Sequence, residues 1–246
     1  MKMSGLRAKM TVPALLLLAM ATLTVAKEPQ RRSATVPGPR PSVWWMPRHL
    51  GMNDRIKLGD VDLLFIGDSI TEGWSGAGMG VWHKYYSRRN AVNLGIGGDE
   101  TSHVLWRLDN GNIDGVSPKL AVLMIGTNNA GLSKLPAEET AEGIKLIVEK
   151  LRKKLPKTKI LLLAIFPRGV DKQDELRQLN DKTNALIAPL ADHETVFYMD
   201  LGSKFVEPDG KVNKDLMPDL LHLSNTGYEI WAATIEPTVA RLMGEK

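Results

Sequence analysis

The sequence of 246 residues contains no cysteine. Disulfide bonds therefore contribute nothing to its stability, which has to come from a well-filled hydrophobic core. A single domain of about 200 residues can bury such a core. The sequence also lacks internal repeats, and no change of composition indicates a second domain.

Residues 43–246, which have the composition of a folded domain, carry no excess of basic charge. The formal net charge is +4, but residues 1–26 hold three basic and no acidic residues, and residues 27–42 hold four basic residues and one acidic residue. Residues 43–246 carry 25 basic and 27 acidic residues. Nucleic-acid binding needs a concentrated basic face, and this distribution does not support it.

Several motifs of cofactor and metal sites are also absent. The glycine-rich loop 93–99 (NLGIGGD) lacks the G-x-G-x-x-G spacing, and no Gly-Lys-Ser/Thr phosphate-binding motif occurs. Segment 73–77 (GWSGA) ends in alanine and follows no strand, so Ser75 is a poor candidate for the nucleophile of a G-x-S-x-G motif. The histidines lack the spacing of metal ligands; they are His49, His83, His103, His193 and His222. We therefore expect neither a metal nor an organic cofactor.

The first 26 residues have the features of a secretory signal peptide. Three basic residues precede an apolar run at residues 10–23, and small residues end at Ala26, where cleavage is expected. A transmembrane anchor is the alternative, but the apolar run is short for a membrane span and Pro13 interrupts it. We therefore expect a secreted or periplasmic protein that keeps no stable membrane span after signal cleavage.

Residues 27–42 are rich in Pro, Arg and Ser and are predicted to form an extended linker to a folded domain at 43–246. In this domain short β-like runs alternate with helical stretches. Strands are predicted at 61–66, 91–94, 120–125, 159–166 and 196–201, and helices at about 137–154, 174–190 and 225–242. This alternation predicts an α/β fold, a three-layer sandwich with a mostly parallel five-stranded sheet. Sites in such sheets form at the carboxyl ends of the strands.

Two of these strand ends carry serine and glycine. Ser69 follows the first predicted strand, behind Gly67 and Asp68. This position suits a nucleophilic hydroxyl that projects from the edge of the sheet, but Ser and Asp also cap helix N-termini for backbone reasons. The second strand leads into loop 93–99, whose glycines allow a backbone N–H to face a cavity or simply form a tight turn.

Asparagine and an Asp/His pair occupy two further ends. Asn128 in segment 126–129 (GTNN) is suited to donate a hydrogen bond to an oxyanion, or to form a turn. Asp219 precedes His222 by three residues. This spacing can place a carboxylate beside an imidazole and leave the other ring nitrogen free to take a proton from a serine. His103 lies in a helical stretch and is expected to be packed or at the surface.

The four blocks resemble the SGNH (GDSL-type) hydrolases; they read GDSI at 67–70, NLGIGGD at 93–99, GTNN at 126–129 and DLLH at 219–222. The resemblance covers about residues 45–240 and is strongest to the platelet-activating-factor acetylhydrolase catalytic-subunit branch, at 93–111 and 118–129. It implies a flavodoxin-like SGNH hydrolase fold. It also implies roles for single residues: Ser69 as nucleophile, His222 as general base, Asp219 as the residue that orients His222, and an oxyanion hole formed by the backbone N–H groups of Ser69 and Gly98 and the side chain of Asn128.

The resemblance further implies a serine esterase for short-chain esters, with acetyl as the first expectation, and small-molecule or polysaccharide esters as substrates. Bacterial relatives of this branch include esterases that act on acetylated carbohydrates, and the acetylhydrolase relatives form homodimers. A lysophospholipase, a thioesterase or an arylesterase is the alternative within enzymes. A carbohydrate-binding module with Trp44, Trp45 or Trp74 as exposed aromatic side chains is the alternative from another class.

Overall fold

The computed structural model describes residues 33–245. The predicted signal peptide and residues 27–32 of the predicted linker lie outside the described residues. Five strands form one sheet: β1 (Leu63–Gly67), β2 (Ala91–Gly95), β3 (Leu120–Met124), β4 (Lys159–Leu163) and β5 (Val196–Met199). They pair in parallel in the order β2-β1-β3-β4-β5. The predicted α/β fold is confirmed, and the strand order is the flavodoxin-like one.

The register aligns the carboxyl ends of the three strands nearest the candidate site. Gly67 at the end of β1 lies opposite Gly95 of β2 and Met124 of β3. The segments that follow these strands therefore meet at one edge of the sheet. Strands β1 and β3 are buried at all five positions, as expected of apolar strands that are covered on both faces.

Helices cover both faces of the sheet; they are α1 (Trp45–Lys57), α2 (Ser69–Glu72), α3 (Met79–Tyr85), α4 (Thr101–Asp109), α5 (Thr127–Gly131), α6 (Ala137–Lys154), α7 (Glu175–Ile187) and α8 (Asn225–Met243). Side chains alternate along β1, so that Leu64 and Ile66 join one core with α1, α4 and α6. Leu63 and Phe65 join the opposite core with α3 and α8. Helix α6 has the predicted bounds, behind Pro136. Among the described residues, no helix has the length and apolar character needed to cross a membrane.

Helix α1 is not predicted from the sequence pattern. Its buried face includes the polar residues His49 and Asn53, which interrupt the apolar periodicity of a helix. The tertiary structure provides partners for Asn53: its Nδ2 donates to the Asn110 carbonyl oxygen at 2.8 Å, and its Oδ1 accepts from Asn112 Nδ2 at 2.6 Å. These long-range hydrogen bonds allow a polar residue on the buried face.

Residues 33–42, the described part of the predicted linker, lie against the domain. Thr101 Oγ1 donates to the Ala34 carbonyl oxygen at 2.7 Å, and Arg40 Nη1 donates to the Gly97 carbonyl oxygen at 2.8 Å. The segment therefore runs past the start of α4 and reaches the loop that follows β2.

Candidate active site

Ser69 is the first residue of α2, just beyond the end of β1. The N-cap of α2 is Asp68, whose Oδ1 accepts a hydrogen bond from the Ile70 N–H at 3.0 Å. The capping function therefore belongs to Asp68, and the Ser69 hydroxyl is free for another partner. Gly67 is required by space, because a Cβ atom there would lie 2.1 Å from Thr71 Oγ1 and 2.4 Å from the Met124 carbonyl oxygen.

The Ser69 hydroxyl lies at one end of a hydrogen-bonded chain. Its Oγ is 2.9 Å from His222 Nε2, and His222 Nδ1 is 2.6 Å from Asp219 Oδ2. An ionised carboxylate only accepts hydrogen bonds, so Nδ1 carries the proton and Nε2 accepts from the Ser69 hydroxyl. The fold brings these three predicted residues together although Ser69 and His222 are 153 positions apart.

The tight turn 219–222 orients the carboxylate towards the imidazole. Asp219 Oδ1 accepts hydrogen bonds from the N–H groups of Leu221 at 3.0 Å and His222 at 2.6 Å, which leaves Oδ2 for the ring. Leu220 has φ of 63°, in the left-handed region that is unfavourable for leucine. Such backbone strain costs about 1–3 kcal/mol and occurs preferentially at functional sites.

Asp219 is ionised at neutral pH. Burial by itself raises the pKa of Asp219, but hydrogen bonds from the His222 ring and from the backbone N–H groups of His222 and Leu221 outweigh it, so this pKa lies below its usual value. The side chains of Asp219 and His222 are 57% and 43% exposed. A partly solvated carboxylate beside Nδ1 stabilises the imidazolium that forms when Nε2 takes a proton.

Asn128 and the glycine loop 95–98 lie at the neighbouring strand ends. Asn128 is on α5, beyond β3, and its Nδ2 donates one hydrogen bond to the Asp99 carbonyl oxygen at 3.0 Å. Among the described residues the second N–H of this amide has no acceptor, so it is left for a bound group. On the other side of Ser69, a Cβ atom at Gly97 would lie 3.8 Å from Ser69 Cβ, so the loop lies close to the Ser69 side chain.

The hydrogen bonds of this loop distinguish its three glycines. The Gly95 N–H donates to Asn93 Oδ1 at 2.9 Å, and the Gly97 N–H donates to Glu72 Oε2 at 2.5 Å. In the described part of the chain, the Gly98 N–H has no acceptor. Gly98 has φ of 72°, a conformation that favours glycine. Of the three N–H groups, that of Gly98 is therefore available to a bound group.

A buried charge pair, not predicted from the sequence, connects this loop with β1. Asp99 Oδ1 accepts from Trp45 Nε1 at 2.6 Å, and Oδ2 accepts from Arg107 Nε at 2.8 Å. Arg107 also donates to the Gly67 carbonyl oxygen at 3.3 Å. Burial raises the pKa of Asp99, while the Arg107 guanidinium acts in the opposite direction. The sequence signal is an arginine on α4 among buried leucines.

Arg168 is a second residue beside the site that the sequence does not indicate. Its Nη1 donates to the carbonyl oxygen of Thr127 at 2.9 Å and to Thr127 Oγ1 at 3.0 Å. Arg168 therefore supports the first turn of α5, on which Asn128 lies. No motif marks this residue, because its contact depends on how β4 and α5 pack.

The structure corrects the expected exposure of two of the three candidate sugar-binding tryptophans. Trp44 is 47% exposed, but Trp45 and Trp74 are buried, so the expectation that Trp45 or Trp74 is an exposed sugar-binding side chain is wrong. Trp45 packs against His49 and Trp106, and its buried indole N–H donates to Asp99 Oδ1. Trp74 packs between α3 and α8, with its ring centroid 4.8 Å from that of Trp231.

Two further features concern ligand sites. Within residues 33–245, no group of three or more His, Asp or Glu side chains has the arrangement of a metal site. A cavity of about 440 Å³ lies beside β2, at the edge of the sheet, and is lined by residues that include Arg48, Arg55 and Trp82. Ser69 and His222 are not among its lining residues.

The chain is similar to known proteins over most of its length. The model of the GDSL-like lipase/acylhydrolase family matches residues 65–230, which include all five predicted site residues. Platelet-activating factor acetylhydrolase IB subunit alpha2 from Homo sapiens is 37% identical over 202 residues, which make up 82% of this chain and 86% of the human protein.

Two solved structures show the same fold. A GDSL-like lipase from Bacteroides thetaiotaomicron has a TM-score of 0.64 at 20% identity and covers 79% of this chain and 97% of its own. An acetylxylan esterase from Geobacillus stearothermophilus, solved as a catalytic mutant, has a TM-score of 0.57 at 21% identity and covers 76% and 96%. The chain belongs to the GDSL-like lipase/acylhydrolase family and is a carboxylic ester hydrolase.

Proposed function

We propose that the chain hydrolyses short-chain carboxylic esters, acetyl esters first, through an acyl-enzyme on Ser69. The observation that carries this proposal is the continuous hydrogen-bonded chain from Ser69 Oγ through the His222 ring to Asp219 Oδ2, with distances of 2.9 and 2.6 Å. This arrangement activates a serine hydroxyl for acyl transfer.

In the first half of the reaction, Ser69 Oγ attacks the ester carbonyl carbon while its proton passes to His222 Nε2. The carbonyl oxygen becomes an oxyanion, which accepts hydrogen bonds from the N–H groups of Ser69 and Gly98 and from the Asn128 amide. Collapse of the tetrahedral intermediate breaks the bond to the alcohol oxygen. That oxygen takes the proton from His222 Nε2, and the alcohol leaves.

In the second half, water attacks the acyl-enzyme. His222 Nε2 takes a proton from the water, and the same three donors bind the second oxyanion. Ser69 Oγ leaves and recovers its proton from His222, which releases the free acid. Asp219 stays ionised throughout and stabilises the imidazolium in both halves, consistent with the lowered pKa of its carboxyl.

The acyl group of the substrate is proposed from similar proteins, and its alcohol from the N-terminal sequence. An acetyl group is supported by the names of two similar proteins, the platelet-activating factor acetylhydrolase subunit and the acetylxylan esterase. We propose a carbohydrate as the alcohol part, so that the substrate is an acetylated carbohydrate, because the N-terminal sequence predicts export, which would bring the enzyme to extracellular or periplasmic polysaccharides.

The first experiment compares hydrolysis of p-nitrophenyl acetate and p-nitrophenyl palmitate by the wild-type chain, Ser69→Ala and Ser75→Ala. Ser75 is the matched control, because it is a nearby exposed serine whose Oγ accepts only from Asn93 Nδ2 among the described residues. We expect turnover of the acetate by the wild type and by Ser75→Ala, and its loss in Ser69→Ala. Full activity in Ser69→Ala would disprove the proposed nucleophile.

The same pair of esters separates the proposal from its alternatives. Faster palmitate than acetate turnover would favour a lysophospholipase-type or thioesterase-type acyl hydrolase. Turnover of neither ester, together with binding of acetylated xylan, would favour a carbohydrate-binding module. Acetate release from acetylated xylan by the wild type, absent in Ser69→Ala, is the result expected for the carbohydrate proposal.

Export and a homodimer stay predictions. Expression of the full chain in a bacterial host, with N-terminal sequencing of the secreted or periplasmic product, tests cleavage after Ala26. Sedimentation velocity of that product tests the dimer that the resemblance implies.

A further inference from the structure

The loop 95–99 is held by residues that lie before the segment matched by the family model. The family model begins at residue 65, yet three side chains from residues 40–48 bind this loop. Arg40 Nη1 donates to the Gly97 carbonyl oxygen at 2.8 Å, Trp45 Nε1 donates to Asp99 Oδ1 at 2.6 Å, and Arg48 Nη2 donates to the Gly95 carbonyl oxygen at 3.3 Å.

Of these contacts, that of Arg40 acts directly on the proposed oxyanion donor. The carbonyl of Gly97 and the N–H of Gly98 belong to the same planar trans peptide group, in which they point in opposite directions. A hydrogen bond to the Gly97 oxygen on one side therefore determines where the Gly98 N–H points on the other. Such a bond also polarises the peptide group and makes its N–H a stronger donor.

This peptide group needs to be held because glycine flanks it on both sides. Two glycines allow rotation of the peptide plane at little steric cost, and a rotated peptide would direct a carbonyl oxygen instead of an N–H towards the oxyanion. On the preceding peptide, the Gly97 N–H is held by Glu72 Oε2 at 2.5 Å, and Glu72 Oε1 pairs with Arg48 Nη2 at 3.0 Å. Arg40 supplies the restraint on the Gly97–Gly98 peptide itself.

The position of Arg40 is well defined by its contacts. Its guanidinium lies against the backbone of Gly98, since a Cβ atom at Gly98 would be 1.8 Å from Arg40 Nη1. Its Cζ also lies 5.7 Å from the centre of the Trp44 ring, in a cation–π contact. The absence of a side chain at Gly98 thus serves two purposes, a φ of 72° and the close approach of Arg40.

We propose that Arg40 is a positioning residue of the oxyanion hole, which holds the Gly97–Gly98 peptide so that the Gly98 N–H faces the developing oxyanion. The inference rests on the proposed function, because it takes Gly98 as an oxyanion donor. The oxyanion forms in the transition state, so loss of Arg40 lowers kcat and leaves KM nearly unchanged. Removal of a whole donor costs about 10²–10³ in kcat; a donor that is only loosened should cost less, about tenfold.

The test compares the full-length wild type with Arg40→Met, Arg40→Lys and the control Arg55→Met. Methionine keeps an unbranched side chain as long as the stem of arginine up to Nε but has no donor, while lysine keeps a donor for the Gly97 oxygen. Arg55 is a matched control, because it also binds backbone carbonyls, those of Gly59 and Asp60, and does not contact the loop. The readouts are kcat and KM for p-nitrophenyl acetate, and the inhibition constant of a trifluoromethyl ketone that forms a tetrahedral adduct with serine.

We expect kcat of Arg40→Met to fall about tenfold with KM within twofold, and inhibitor affinity to fall by a similar factor. Arg40→Lys should recover most of the loss, and Arg55→Met should match the wild type. An unchanged kcat and inhibitor affinity in Arg40→Met, or a loss that lies entirely in KM, would overturn the inference. A failure of Arg40→Lys to recover activity, with melting temperatures equal to the wild type, would also overturn it.

The outcome is distinguishable from failure of the proposed function. If Ser69→Ala is inactive and Arg40→Met is fully active, only the role of Arg40 is wrong. If Ser69→Ala retains full activity, the proposed function is wrong irrespective of Arg40.

Discussion

Asp68 should make this protein less stable as the pH rises, which is the opposite of the usual effect of a carboxyl group. Its carboxyl is buried directly before Ser69, and burial raises its pKa to about 7, although the Ile70 N–H acts against the shift. The ordinary value is 3.8. A carboxyl with a raised pKa in the folded state contributes its full stability below the unfolded value and loses it as the pH rises through the folded value.

The substitution Asp68→Asn isolates this effect. Asparagine has nearly the same shape, and its Oδ1 can still cap α2 by accepting from the Ile70 N–H, but it does not ionise. The rise of the Asp68 pKa from 3.8 to about 7 corresponds to about 4 kcal/mol. We expect the two proteins to differ little at pH 4, and the variant to become more stable than the wild type by up to about 4 kcal/mol at pH 8.

Urea unfolding at pH 4, 5, 6, 7 and 8 measures the difference in the free energy of unfolding. The control is Asp192→Asn. The pKa of Asp192 is lowered to about 2, mainly by the hydrogen bond that its carboxylate accepts from the Val196 N–H. The contribution of Asp192 to the free energy of unfolding is fully present above pH 3.8 and is lost only as the pH falls through 2. The free energy of unfolding of this variant should therefore differ from that of the wild type by a constant amount from pH 5 to pH 8. The reasoning is refuted if the difference for Asp68→Asn is equally constant over that range.

Two predictions concern activity on p-nitrophenyl acetate. Asp219→Asn replaces the acceptor of the His222 Nδ1 proton by an amide and favours the wrong tautomer, so kcat should fall by about 10⁴ near pH 7; retention of more than a tenth of wild-type kcat would exclude this role. Asn128→Ala removes one side-chain donor, so kcat should fall by about 10²–10³ while KM changes little. If its loss appears in KM instead, Asn128 binds the ground state and not the oxyanion.

The sequence by itself determined the class of fold and the location of the site. Apolar runs such as 61–66 alternate with helical stretches, and this combination is typical of a parallel sheet whose strands are buried on both faces. The prolines at 136 and 156 bound α6 where it was predicted. Because parallel strands end at one edge, the residues after β1, β2 and β3 had to meet there, which brings Ser69, Gly98 and Asn128 to neighbouring positions.

Only the tertiary structure decided what each side chain does at that edge. Asp68 and not Ser69 caps α2, since the direction of each side chain depends on the backbone after β1. Trp45 and Arg40 bind the loop 95–99 from positions 54 and 57 residues away, and Arg107 reaches Gly67 at the end of β1 over 40 residues. Such hydrogen bonds leave no periodicity or local motif, because they arise from the packing of elements that are far apart in sequence, and a buried arginine is stable only where the fold provides its partners.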